Sequence, residues 1–178
     1  MKLKFRDSAE APIIAWDFDG TININGEHIF PECGVIRRHT KEVMNLLHDI
    51  GIRNVIWTSR DIAYNQDDKR IYDHLSPMLK FLDDNGIKYD TINKSVQFAP
   101  YCYNGRKVYA HLYVDDRAFG WKEHDDVMLD VLNYIMCYII GINDTQMRLY
   151  AWIVIQNGES FEEVYLDKLR EYVKRWKD

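Results

Sequence analysis

Two carboxylates one residue apart, Asp17 and Asp19, stand where the apolar run Ile13-Ile14-Ala15-Trp16 ends, and Gly20-Thr21 follow at once. Side chains alternate along a strand, so both acids are expected on one face, with Phe18 turned into the core. Like charges held that close repel, and a divalent cation between them is the simplest compensation. The bland alternative is a strand that ends in an Asp-Gly turn with solvated acids. Later strands decide between the two by what they bring to the same place.

A second apolar run, Ile52 to Trp57, ends in Thr58-Ser59-Arg60, and a third strand is predicted from Ile87 to Ile92, followed by Asn93-Lys94. The run Ala110 to Val114 leads straight into Asp115-Asp116-Arg117. Helical spacing is read over Val35 to Ile50, stopped by Gly51, and within Asp67 to Asn85, with a break near Pro77 and a stop at Asn85-Gly86. Strands alternating with helices predict a three-layer, Rossmann-like α/β fold, a parallel sheet with helices on both faces. Ligands of such sheets bind beyond the carboxyl ends of the strands, so the three polar tips are expected to converge.

Between these units, Ile22 to Pro31 alternates around Asn25-Gly26 and predicts a small hairpin over the site. Arg37 to Lys41 reads most simply as a solvated face. Residues 95–107 lack a period and read as a loop. Asp125 to Ile140 predicts an amphipathic helix and Leu149 to Ile155 a strand; Ser160-Phe161-Glu162-Glu163 opens a last helix whose aromatic side packs on the sheet or meets a partner.

The chain has 178 residues with no linker-like tract, which predicts one domain over 1–178: a core at about 10–140 and a strand and helix extension at about 143–178. With 47% hydrophobic residues it can bury a sizeable core. The net charge of -5 argues against holding nucleic acid by general electrostatics. Cys33, Cys102 and Cys137 are odd in number and far apart, which suits free thiols. The basic start develops no apolar signal core, and the apolar stretch Tyr134 to Ile142 falls short of the roughly 20 residues of a membrane span. A cytoplasmic protein with no membrane association is the expectation.

Taken in order, Asp17-Phe18-Asp19-Gly20-Thr21, Thr58 after an apolar strand, a lysine before the fourth strand, and Asp115-Asp116 at that strand's end resemble the signatures of the haloacid dehalogenase-like (HAD) hydrolases. The resemblance covers roughly residues 13–120. It implies a Mg2+-dependent phosphatase in which Asp17 attacks phosphorus and becomes an aspartyl phosphate. Asp19 would protonate the leaving oxygen and then deprotonate water, a task that favours a raised pKa. It further implies that Asp17 and Asp115 hold the metal with a backbone carbonyl, of Phe18 or, by family position, of Asp19, while Asp116 helps hold the metal or its waters, or orients the lysine. Thr58 would donate to a phosphoryl oxygen, and Lys107, with Lys94 as the alternative, would complete the site. Gly20, Thr21, Ser59, Arg60 and Arg117 lie where substrate contacts are expected; for Arg60 and Arg117 a salt bridge within the loop is the competing reading.

Larger members of that superfamily insert a cap domain after the first strand's loop or between the third strand and the lysine. Neither position here holds enough chain to fold as a domain. An uncapped site suits a phosphate on a large substrate, protein or nucleic acid, or a site closed by an oligomeric neighbour. Competing readings keep the fold as a phosphate-binding or regulatory module, or pass the phosphoryl group to an acceptor other than water.

Overall fold

The computed structural model describes residues 11–26, 29–96, 108–118 and 120–174. Its centre is a four-stranded parallel sheet in the order β7-β4-β1-β8: β1 (Ile13–Asp17), β4 (Arg53–Trp57), β7 (Thr91–Ile92) and β8 (Leu112–Val114). Ala15 pairs with both Val55 and Tyr113, so β1 lies at the middle of the sheet. This is the expected α/β class, with helices around the sheet and no large cap domain.

Alternation along β1 sends Ile14, Trp16 and then Phe18 into the main core, where they meet Met44 and Leu47 of α1 (Thr40–Asp49) and Met78 and Leu82 of α2 (Leu75–Asp84). Ile13 and Val55 face the other way into a smaller cluster with Val96 and Val108. The ends of those two flank residues 97–107, which lie outside the described residues. The main core continues into α3 (Val127–Tyr134), a π-helical turn (Ile135–Ile139), α4 (Thr145–Asn157) and α5 (Glu163–Lys174). Leu169 and Val173 of α5 are buried there, and Arg170 donates to the Asp49 carbonyl at the end of α1, so this tail packs on the body.

Several local expectations are corrected. Asn25-Gly26 does not join neighbouring strands: β2 (Asn23–Ile24) pairs antiparallel with β3 (Val35–Ile36), so Val35 and Ile36 leave the predicted helix. Residues Asp67 to Asp73 are not helical; Ile62–Asn65 (β5) and Arg70–Asp73 (β6) form an exposed two-stranded ribbon, and α2 begins only where the Asp73 carboxylate accepts the Leu75 and Ser76 amides. Pro77 sits in that first turn, where a missing N–H costs nothing. Leu149 to Ile155 is the middle of α4, not a strand. Asp144 accepts the Gln146 and Met147 amides at its start, Gly158 closes it in the left-handed conformation, and Met147, Ala151, Val154 and Ile155 bury one helical face.

Cys33 and Cys137 are free thiols, and Cys102 lies outside the described residues. Among the described residues no helix is long and apolar enough to cross a membrane.

Candidate metal and phosphate site

The end of β1 and the end of β8 are neighbours in the sheet, so Asp17 meets Asp115 and Asp116. Each of the three offers a carboxylate oxygen within 4.8 Å of the others. Burial pushes the Asp17 carboxyl up to about 7, with the charge of Asp115 as the next cause. Asp116 is also raised, again by burial first and Asp115 second. Its Oδ1 is buried and has no hydrogen-bond partner among the described residues. Three carboxylates crowded together, one with a buried acceptor that lacks a partner among the described residues, fit a hard divalent cation such as Mg2+, which takes oxygen ligands.

The loop after β1 is built to hold this arrangement. The Phe18 carbonyl accepts the Ile22 and Asn23 amides at 3.0 and 2.8 Å, closing a tight turn. Those bonds use both lone pairs within the loop, so of the two carbonyls considered for the metal Phe18's is withdrawn and Asp19's is left. Gly20 adopts φ 90°, and its missing side chain is where the Asp116 carboxylate lies.

Thr21 is corrected from a substrate contact to a brace. It is fully buried, and its hydroxyl accepts the Asp116 amide at 2.9 Å. Arg37 is likewise no part of a solvated face. It is 5% exposed, and its guanidinium donates to the carbonyls of Gly20 and Thr21 and pairs with Glu123.

Two acids on one face were expected together, but the Asp19 carboxylate lies outside the group formed by Asp17, Asp115 and Asp116. β1 ends at Asp17, and beyond it the carboxylate of Asp19 turns to Arg60, which donates from Nε and Nη2 at 2.8 Å each, while Asn23 donates at 3.0 Å. Arg60 is 2% exposed, and it also donates to the Pro31 and Glu32 carbonyls. Its guanidinium is committed inward, which fits the salt-bridge reading and removes it from the substrate contacts.

Thr58 sits at the end of β4, held by a reciprocal pair: its amide donates to Asn93 Oδ1 and its carbonyl accepts from Asn93 Nδ2, both at 2.8 Å. The Thr58 hydroxyl accepts the Arg60 amide at 3.1 Å. Ser59 and Arg117 are exposed, and the Arg117 amide donates to Asp115 Oδ1 at 2.8 Å. Lys94 is exposed past the end of β7, its carbonyl accepting from Thr91. Lys107 lies outside the described residues.

Arg37, Asn93 and Asn23 are the supporting residues that sequence reasoning missed. Their partners are backbone groups and the carboxylates of Glu123 and Asp19, and no short motif announces such pairings.

No family model matches the chain, and no curated protein matches it. A solved structure described as a conserved protein from Bacteroides thetaiotaomicron is similar, with a TM-score of 0.52 and 26% identity over 79% of this chain and 98% of that one. That description names no activity.

Proposed function

We propose that this chain is a Mg2+-dependent phosphatase of the HAD-like kind, hydrolysing a phosphate monoester through a phosphoryl group carried on Asp17. The observation that carries the reading is the meeting of Asp17, Asp115 and Asp116 at the tips of adjacent parallel strands, with Asp116 Oδ1 buried and without a partner among the described residues. Asp17, Asp115 and Asp116 would hold the cation, with the Asp19 carbonyl. When bound, Mg2+ would offset the negative charge that an anionic ester and an anionic nucleophile otherwise place together.

In this reading an oxygen of Asp17 attacks phosphorus while the bond from phosphorus to the leaving oxygen breaks. Asp19 gives that oxygen its proton. Water then loses a proton to Asp19 and attacks the same phosphorus, which releases inorganic phosphate and restores Asp17. The side chain of Asp19 is 38% exposed while Arg60 grips it, so it is oriented yet still reachable from the site. Thr58, braced by Asn93, would donate to a phosphoryl oxygen.

The same grip favours a second reading. Both oxygens of Asp19 already accept from Arg60, which suits a phosphate-binding module with little turnover. Release of phosphate from a panel of monoesters, with Mg2+ and with chelator, separates the two. The phosphatase reading expects Mg2+-dependent release that Asp17→Asn abolishes; full activity in Asp17→Asn would sink it. Passing the phosphoryl group to another acceptor shares the first half-reaction and would show as turnover that depends on an added alcohol.

A further inference from the structure

We propose that a row of aromatic rings beside Asp19 receives a planar ring on the leaving-group side of the substrate, which makes the substrate class aryl or nucleoside phosphate monoesters. The inference rests on the phosphatase reading above.

The row starts at the site. Arg60, which grips Asp19, has its guanidinium 5.0 Å from the ring centroid of Phe18 and 5.0 Å from that of Phe30. Phe18 is fully buried and meets Phe81 edge-on, so the inner end is fixed in the core. Outward, Phe30 meets His74 at 4.7 Å, and His74 meets Tyr72 at 6.1 Å with planes only 16° apart. Phe30 is 52% exposed and Tyr72 37%, so two large rings of the row are open to a visitor. Rings in such a row gain little from water and favour another flat π-surface in offset or edge contact.

The row is also anchored from both ends. Arg60 donates to the carbonyls of Pro31 and Glu32 beside Phe30, and the His74 amide donates to the Asp61 carbonyl beside Arg60. It thereby joins the segment between β2 and β3 to the β5-β6 ribbon, two pieces with no strand pairing between them among the described residues. A rigid, pre-formed ring surface binds at lower entropic cost than a mobile one.

Its side of the sheet matches the chemistry. Asp115 and Asp116 follow β8 on one side of β1, and Arg60 follows β4 on the other. Asp19 serves the leaving oxygen, so the organic body of the ester falls on the β4 side with the rings. A cavity of about 350 Å³ bordered by Leu112, Trp121, Val131 and Asp115 lies on the β8 side instead. The ribbon carries Asp61, Asp67, Asp68 and Asp73 against Lys69 and Arg70, a balance that repels a polyanion, so the ring belongs to a small ester and not to a nucleic acid chain.

The test uses the full chain with Mg2+ in two arms. Steady-state kcat/KM is compared among phenyl phosphate, adenosine 5′-monophosphate and β-glycerophosphate; calorimetry compares benzylphosphonate with propylphosphonate, neither of which can be hydrolysed. The proposal expects the ring-bearing member to win by about tenfold in both arms, the scale of one ring contact. Phe30→Leu and Tyr72→Leu should each pull that ratio toward one, and the two ring esters tell an aryl from a nucleoside preference. A ratio near one in the parent protein, or one that survives both variants, overturns the platform. Absence of turnover with every ester, alongside a preserved phosphonate preference, would sink the phosphatase reading and leave the platform standing.

Discussion

A Cβ on residue 20 would lie 2.4 Å from Oδ2 of Asp116, so Gly20 and Asp116 hold their places only together. One loop supplies the gap and the other fills it. Because Gly20 is also at φ 90°, Gly20→Ala suffers a backbone cost as well as the clash, about 1–3 kcal/mol of stability in all. The sharper expectation concerns the cation. Mg2+ should raise the melting temperature of the parent protein, and Gly20→Ala should lose most of that rise because Asp116 must move.

Acid chemistry gives a pH signature in chelator. Asp17 is raised from 3.8 to about 7, so the folded chain keeps its proton after the unfolded chain has lost it. The contribution of Asp17 to stability without divalent cation should therefore be present in full below about pH 4, fall as pH rises toward about 7, and level off beyond. Excess Mg2+ should remove most of the fall, and Asp17→Asn should flatten it. Urea midpoints measured across this interval check the sign; a chelated protein that gains stability over the same interval contradicts it.

Arg60 and Asp19 form a fork with one member buried and the other 38% exposed. That exposure places their coupling below the 3–5 kcal/mol of a fully buried pair, at about 2 kcal/mol. A double-mutant cycle with Arg60→Met and Asp19→Asn measures it by denaturant unfolding. Arg60→Lys should recover only part of the loss, since an ammonium cannot make two parallel bonds.

Much of the site could be read from the chain. Apolar runs that end abruptly in Asp17, Thr58 and Asp115 place three tips of one parallel sheet, and a buried strand leaves few other ways to end. The β5-β6 ribbon was hidden because its alternation is fully exposed, so no apolar face marks it. The apolar run in α4 fits a short strand or a buried helix equally well, and only Asp144 and Gly158 at its ends decide. Arg37 reads as surface charge beside Arg38, yet it folds inward to two carbonyls of the loop after β1. Side chains that satisfy distant backbone groups leave no local pattern.

Asn93 is one such residue, and it sits at φ 50°. Asn93→Ala loses both bonds to Thr58 and should cost about 1–2 kcal/mol. Asn93→Gly relieves the backbone but not the lost bonds. If Thr58 contacts the phosphoryl group, both variants should lower kcat more than they raise KM for a phosphate ester, which steady-state kinetics would show.

In the proposed reaction the phosphoryl group passes through Asp17. Quenching the protein during turnover of a phosphate ester and reducing it with borohydride converts an aspartyl phosphate to homoserine, which peptide mass spectrometry locates. Homoserine is expected at position 17 alone, and only with both ester and Mg2+ present. Turnover with Asp17 unmodified, or the label at another residue, would contradict it.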